Sequence, residues 1–150
     1  MVTIWKVPVD IEELNRRAQH TLCSHLGIRF IEVGGDFLKA TMPVDEKTKQ
    51  PMGILHGGAS CALAETVGSA AANYCLDPQH QVAVGLEINI NHLRPMYSGV
   101  ITAIAKPFHL GNTTQVWEIK IFTSQQKLVA IARHTVAVID RAKIVHKASL

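Results

Sequence analysis

A single glutamate and a His-Gly-Gly triplet are the residues whose types and spacing best fit a catalytic site. Glu65 lies in the middle of residues 56–73, a segment whose other side chains are nearly all small or apolar, and His56-Gly57-Gly58 opens that segment. Acidic side chains are rarely buried without a partner, because removing an unpaired charge from water is costly. A carboxylate in this setting therefore indicates chemistry.

The same segment predicts a helix over residues 56–73, and a helix that is apolar on all sides is normally buried. The first N–H groups of a helix have no partner within it, and they carry a partial positive charge. Gly57 and Gly58 have no side chains, so a ligand can approach the backbone closely. A carbonyl group placed there would be polarised, and the oxyanion formed by attack on it would be stabilised.

The spacing between these groups restricts how they could work together. Gly57 and Glu65 are eight positions apart, which is about 12 Å along a helix at 1.5 Å per residue. One carbonyl group cannot contact both residues in the same chain. If both act, the spacing predicts two composite sites per dimer, formed by helices that run antiparallel across a two-fold axis.

Composition excludes several classes of protein. At 150 residues the chain is expected to form one domain. Its net charge of +3 and aromatic content of 5% argue against a nucleic-acid partner, and it has no apolar run of the length needed to cross a membrane. The N-terminus does not resemble a signal peptide. Three cysteines without metal or redox spacing (Cys23, Cys61 and Cys75) favour reduced thiols in a cytoplasmic protein, and no metal site is expected.

The elements that must position these residues follow from hydrophobic periodicity. Apolar residues at helical spacing predict one amphipathic helix over 11–26. Two β-rich segments around a Gly-Gly-Asp turn predict a hairpin, and residues 43–55 read as a loop. Short connections predict that the later strands are antiparallel neighbours. The strands are expected at 28–33, 37–42, 82–93, 100–108, 114–123 and 128–139.

These elements predict an α+β architecture, in which an antiparallel sheet of five to six strands wraps around one long central helix, with a short N-terminal helix in addition. The small side chains of the central helix would let the strands come close. Open sheet edges would be left over, and pairing of edges in a dimer is one way to protect them.

This arrangement resembles the hotdog fold, and the motifs are similar to those of its small bacterial acyl-CoA thioesterases. The matching motifs are TKQP (48–51), HGGAS with the glutamate of ALAETVGS (56–69), VGLEININHLRP (84–95), KP with HLG (106–111) and QVW (115–117). The resemblance covers about residues 4–140. It implies a single thioesterase domain over 1–140, followed by a basic C-terminal tail over 141–150.

The reaction that fits these residues is hydrolysis of an acyl-CoA thioester, with Glu65 as nucleophile or general base and the Gly57 N–H on the carbonyl oxygen. The resemblance implies that Gln50 and His56 orient or polarise the thioester. Thr66 and Ser69, one and four positions after Glu65, could hydrogen-bond a nucleophilic water or the acyl group. CoA arrives as part of the substrate, so no separate cofactor is expected.

The resemblance also implies where CoA is held and how the chain assembles. The implied substrate-binding residues are Gly85, His92, Arg94, Lys106, His109 and Gly111. The basic tail, with Arg141, Lys143 and Lys147, is an alternative partner for the CoA phosphates. The implied assembly is a homo-oligomer with active sites at the dimer interface, and a tetramer built as a dimer of dimers.

Two other functions remain open from the sequence. A hydroxyacyl dehydratase of the same fold also pairs a loop histidine with a helical carboxylate, and a non-catalytic acyl-CoA-binding protein would bind without turnover. The small bacterial acyl-CoA thioesterases that the chain resembles favour aromatic or medium-chain acyl groups. The other histidines (His20, His25, His80, His134 and His146) are expected to be surface or packing residues.

Overall fold

One long helix lies against a six-stranded antiparallel sheet in the computed structural model of the protein, which describes residues 3–145. The hotdog fold predicted from the sequence is confirmed, including the central helix and the strand count. The elements in chain order are α1 Ile11–Arg17, α2 Leu22–Leu26, β1 Arg29–Val33, β2 Leu38–Pro43, α3 Gly57–Tyr74, β3 Gln81–His92, β4 Val100–Leu110, β5 Thr114–Thr123, β6 Leu128–Asp140 and α4 Ala142–Val145.

The sheet has the order β1-β2-β4-β5-β6-β3. The hairpins β1–β2, β4–β5 and β5–β6 agree with the prediction that short connections join antiparallel neighbours. The prediction was wrong for β3 and β4, which are consecutive in the chain but not adjacent in the sheet. The segment between them turns away from β3 after His92 and passes the start of α3, where the Leu55 N–H donates to the carbonyl of Met96 at 2.7 Å. As a result β3 forms one edge of the sheet.

The N-terminal helical region is two helices, not the single helix predicted over 11–26. The first helix ends at Arg17 with Ala18 as its C-cap, and His20 then has a φ of 60°, in the left-handed region, which keeps the two helices apart. Thr21 then caps α2, because its Oγ1 donates to the carbonyl of Ala18 at 2.6 Å and accepts from the Cys23 N–H at 3.2 Å. Hydrophobic periodicity alone does not predict this break between α1 and α2.

The central helix packs its smallest residues against the sheet. At Gly68 an added Cβ would lie 3.1 Å from His134 Cδ2 and 3.3 Å from Ile119 Cδ1, so a larger side chain would push α3 away from β5 and β6. This close approach agrees with the role predicted for the small residues. The buried residues of α3 are Ser60, Leu63, Ala64, Val67, Gly68, Ala71 and Ala72.

The edge strand β3 runs along α3 and is pinned to it by Asn73. The Asn73 Oδ1 accepts from the Ala83 N–H at 2.9 Å, and its Nδ2 lies 3.3 Å from the Ala83 carbonyl. Two residues later the pairing of β3 with β6 shifts between Gly85 and Glu87, which leaves Leu86 as the extra residue of a β-bulge. This bulge lies where β3 passes the middle of α3.

The chain continues from β6 directly into the short helix α4. Arg141, at the start of the predicted tail, is tied to the body of the domain, since its guanidinium donates to the Pro78 carbonyl at 2.7 Å. Lys147 and His146 lie outside the described residues. None of the helices within residues 3–145 has the length and hydropathy that a transmembrane span requires.

Candidate active site

The start of α3 is capped by the histidine that precedes it. His56 Nδ1 accepts a hydrogen bond from the Gly58 N–H at 2.8 Å, and the His56 N–H donates to the carbonyl of Thr48 at 2.8 Å. Because Nδ1 acts as an acceptor, the neutral imidazole carries its proton on Nε2. The ring is exposed, so Nε2–H can donate to a bound ligand.

The N–H of Gly57 differs from that of Gly58, because it donates to no protein group within residues 3–145. It is the first N–H of an 18-residue helix, where the backbone carries a partial positive charge. Gly57 borders a cleft of about 360 Å³. The other residues of this cleft are Gln50, Ile54, Leu55, His92, Leu93, Arg94, Pro95, Met96 and Val129.

Gln50 enters the cleft from the turn that precedes α3. Its side-chain oxygen accepts from the Met52 N–H, and its backbone N–H donates to the Ile54 carbonyl at 2.9 Å. These two bonds fix the side chain and leave its NH₂ group as a donor. The loop predicted over residues 43–55 therefore delivers a fixed amide to the cleft that Gly57 borders.

A serine and a histidine touch beneath the cleft, but they are not placed for nucleophilic catalysis. Ser60 Oγ lies 2.6 Å from His92 Nε2 and donates to the carbonyl of Gly57 at 2.9 Å. Ser60 is fully buried, so a substrate cannot reach its hydroxyl. The pair instead holds the His92 ring against Gly57, where an added Cβ would be 3.1 Å from His92 Cε1.

Glu65 lies on the face of α3 that passes β3. The sequence predicts a buried segment, yet the Glu65 side chain is exposed in the single chain and has no hydrogen bond or ion pair to any residue in 3–145. Within one chain, α3 buries only its sheet-facing side, so the expected burial on all sides is not reached in a single copy. The carboxylate is therefore free to contact a substrate.

Gly85 explains how this carboxylate fits beside the edge strand. A Cβ at Gly85 would lie 3.0 Å from Glu65 Oε1 and 3.3 Å from His134 Cε1. Both contacts are tighter than ordinary van der Waals packing. Gly85 was predicted to border CoA, and in the structure it makes room for Glu65 at the β3 bulge.

Ser69 and Thr66 point in different directions. Ser69 Oγ lies 2.9 Å from His134 Nε2, on the same side of α3 as Glu65. Thr66 Oγ1 instead lies 3.8 Å from Cys23 Sγ on α2. The structure therefore brings Ser69, and not Thr66, to the region between α3 and β3.

The residues predicted to hold CoA are also divided. Arg94 borders the cleft and makes no ion pair with any residue in the described part of the chain. Lys106 lies beside the β1–β2 turn, where its Nζ is 3.1 Å from Asp36 Oδ2. His109 packs on Gly111 in the β4–β5 turn. Of these three residues, only Arg94 lines the cleft that Gly57 borders.

No metal-binding group accompanies these residues: between residues 3 and 145, no three His, Cys, Asp or Glu side chains come together in a way that could hold an ion. The groups that the site offers for chemistry are a carboxylate, a helix N-terminus, an amide and imidazole rings.

Cys61 offers a test of the Glu65 charge that does not depend on turnover. Burial raises the pKa of the Cys61 thiol above its ordinary value, and the nearby Glu65 carboxylate raises it further. In Glu65→Gln the pKa should fall, so the reactive thiolate becomes more abundant at a given pH. We expect iodoacetamide at pH 8 to alkylate Cys61 faster in Glu65→Gln than in the wild type.

Cys75 is the internal control for that measurement. Burial raises its pKa to about 12, and Glu65 does not contribute to this rise. Peptide mapping by mass spectrometry would give the Cys61 rate, while Cys75 should stay essentially unmodified in both proteins as long as the fold is intact. An unchanged Cys61 rate would mean that Glu65 does not act on this thiol as a negative charge.

Comparison with known proteins gives one consistent family. A family model described as the thioesterase superfamily matches residues 52–130. The 1,4-dihydroxy-2-naphthoyl-CoA hydrolase of Escherichia coli is 46% identical over 136 residues, which are 91% of this chain and 99% of that protein.

Solved structures agree with the sequence comparison. A thioesterase from Haemophilus influenzae is similar with a TM-score of 0.90 and 48% identity, over 92% of this chain and 96% of that one. A thioesterase from Pseudomonas aeruginosa has a TM-score of 0.91 and 45% identity, over 92% of this chain and 99% of that one.

Proposed function

Since the chain belongs to the thioesterase superfamily and is a thioester hydrolase, we propose that it hydrolyses an aromatic or medium-chain acyl-CoA to the free acid and CoA. The observation that carries this proposal is the pairing of two unengaged groups on one helix: the N–H of Gly57 and the carboxylate of Glu65. The first suits a carbonyl oxygen, and the second suits a nucleophile or a base. The similarity to a naphthoyl-CoA hydrolase supports an aryl-CoA as the first substrate to test.

The proposed roles follow from the hydrogen-bonding capacity of each group. The Gly57 N–H binds the thioester oxygen and stabilises the negative charge that develops on it. The His56 Nε2–H and the Gln50 NH₂ group line the approach to that oxygen as further donors. Glu65 either attacks the carbonyl carbon, giving a mixed anhydride that water then hydrolyses, or removes a proton from the attacking water.

We place the complete site between two copies of the chain. Gly57 and Glu65 are eight positions apart on one helix, so they are about 12 Å apart along it. The exposed Glu65 of one chain and the cleft of another would therefore meet across a two-fold axis. Edge strand β3, with its unpaired side, is the natural meeting line of such a dimer.

The direct test is release of free thiol from a panel of aryl-, medium- and long-chain acyl-CoAs, compared by kcat/KM. An enoyl-CoA in the same assay tests the dehydratase alternative, since hydration consumes the double bond and releases no thiol. Thiol release without hydration supports the proposal. Hydration without thiol release, or tight acyl-CoA binding without turnover, would contradict it.

Complementation between two inactive variants tests the composite site. Glu65→Gln lacks the carboxylate, and Gly57→Pro lacks the N–H. In a mixed dimer, one site would combine the intact Glu65 of one chain with the intact Gly57 of the other. Random co-assembly should therefore restore about a quarter of the wild-type activity.

The control for this experiment is each variant expressed alone, with its oligomeric state checked by size-exclusion chromatography. If each site were contained in one chain, the co-expressed mixture would only give the average of the two variants. Activity no higher than that average in confirmed mixed dimers would contradict the shared site.

A further inference from the structure

A buried histidine on β6 connects α3 to the edge strand. His134 is 1% exposed. Its Nε2 is 2.9 Å from Ser69 Oγ on α3, and its Nδ1 is 3.2 Å from the carbonyl oxygen of Glu87 at the β3 bulge. Both ring nitrogens are therefore used, and His134 joins the two elements that border Glu65.

In the neutral imidazole of His134, these two contacts fix the positions of the protons. A carbonyl oxygen only accepts hydrogen bonds, so Nδ1 of His134 must carry the hydrogen donated to Glu87. In the neutral ring Nε2 is then an acceptor, and the hydroxyl hydrogen of Ser69 must point toward it. Ser69 Oγ consequently offers only lone pairs to its other neighbours.

Ser69 lies about one helical turn after Glu65 on α3. The two residues are four positions apart on α3, which places their side chains next to each other on one face. Glu65 Oε1 and His134 Cε1 also both lie within 3.3 Å of the point that a Cβ of residue 85 would occupy. The histidine, the serine and the carboxylate therefore form one cluster around the β3 bulge.

We propose that His134 is a positioning residue: by holding the hydroxyl hydrogen of Ser69 on Nε2, it makes Ser69 Oγ an acceptor for one hydrogen of the attacking water, while Glu65 accepts the other. This inference rests on the proposed acyl-CoA hydrolysis and selects the general-base role of Glu65. The water oxygen is left with a lone pair directed at the thioester carbonyl.

Atoms and protons balance in this route. The water oxygen bonds to the carbonyl carbon as Glu65 takes one water proton, and the carbon–sulfur bond then breaks. The proton on Glu65 goes to the departing sulfur to give CoA thiol. The second water proton stays with the product acid, and Ser69 keeps its own hydrogen throughout.

Two substitutions at His134 separate positioning from packing. In His134→Gln, the side-chain amide reaches the place of Nε2, where its oxygen can accept from Ser69. In His134→Asn, the amide reaches the place of Nδ1, where its NH₂ can donate to Glu87, but Ser69 loses its acceptor. We expect His134→Asn to lower kcat by roughly 10- to 100-fold with KM changed less than about twofold, and His134→Gln to recover most of kcat.

Ser69→Ala should lower kcat to a similar extent, and adding His134→Asn to it should lower kcat no further, because both changes remove the same water contact. The proposal is overturned if the two effects multiply, or if His134→Asn keeps full kcat. Equal loss in the Asn and Gln variants, with a matching fall in melting temperature, would also overturn it in favour of packing.

The proton position can be measured without turnover. Nitrogen-15 NMR of the wild-type protein should show His134 as the neutral tautomer with hydrogen on Nδ1, and a proton on Nε2 would contradict the assignment. The wild-type assay distinguishes failure of the proposed function from failure of the positioning role. A wild-type protein that releases no thiol from acyl-CoA removes the reaction and the role of Ser69 in it, whereas an active wild type with an unaffected His134→Asn variant removes only the positioning role.

Discussion

Replacing Glu65 by Gln is expected to lower kcat for acyl-CoA hydrolysis by about 10²–10⁴-fold, the usual contribution of a positioned acid or base. The amide has nearly the same size as the carboxylate, but it cannot take a proton from water or attack a carbonyl. Glu65 makes no hydrogen bond or ion pair with residues 3–145, so the substitution removes no contact that holds the fold. The melting temperature should therefore stay within about 2 °C of wild type.

Glu118→Gln is the matched control for Glu65→Gln. It removes the same charge from β5, where Glu118 pairs with Lys120 at 3.1 Å on the surface of the sheet. Exposed ion pairs contribute little to stability, so both kcat and melting temperature should remain close to wild type. Near-wild-type turnover in Glu65→Gln, measured beside this control, would exclude Glu65 from the reaction.

Oxygen-18 labelling of the wild-type protein tests directly for the mixed-anhydride route. In water enriched with oxygen-18, a mixed anhydride opened at the Glu65 carbonyl would place the label in the Glu65 side chain. The general-base route places it only in the product acid, as does an anhydride opened at the acyl carbonyl, so a labelled Glu65 would establish the anhydride route. We expect an unlabelled Glu65 peptide, because Ser69 and Glu65 are arranged to hold a water molecule.

The parts of the fold that local patterns determine were predicted well. A run of small residues after His-Gly-Gly predicts α3, which spans Gly57–Tyr74, and period-2 alternation predicts the long strands to within two residues. Such patterns reflect which face of one element is buried. They carry no information on which strands pair, and for that reason the separation of β3 from β4 in the sheet was missed.

The exposure of Glu65 was missed for a related reason. Composition gives only the average hydrophobicity of a helix and does not show which face is buried. The buried face of α3 is determined by the strands that it contacts. Only the fold shows that Glu65 lies beside Gly85 on the open edge, while Leu63 and Val67 face the sheet. An apolar helix with one open face fits the proposed site, which a second copy of the chain would complete.

His134 shows a signal that the sequence did contain. Ala130, Ala132, His134 and Val136 alternate along β6, and all four are buried. This alternation places the histidine on the inward face, where a buried ring needs partners for both nitrogens. What the sequence could not supply is the identity of those partners, since Ser69 and Glu87 come from a helix and a strand far away in the chain.

At the N-terminus of α3, the largest expected effect comes from Gly57→Pro. This substitution should lower kcat by about 10²–10³-fold, as for loss of one oxyanion donor. Proline is well suited to the first position of a helix, because its missing N–H has no helical partner there. His56 has φ −70° and ψ 130°, the extended conformation that a residue before proline prefers. The substitution therefore removes the N–H while the helix start is retained.

Gly57→Ala is the control that isolates the N–H from crowding. Both substitutions add a Cβ that would lie 3.1 Å from His92 Cε1, so both require the ring to shift by a few tenths of an ångström. Alanine keeps the N–H, and we expect its kcat to fall by no more than roughly tenfold. If the two variants lost equal activity, displacement of His92 would account for the loss and the N–H would not be the oxyanion donor. A large loss only in Gly57→Pro would instead identify the first N–H of α3 as the group that binds the carbonyl oxygen. Gly57→Ala keeps this N–H and Gly57→Pro lacks it.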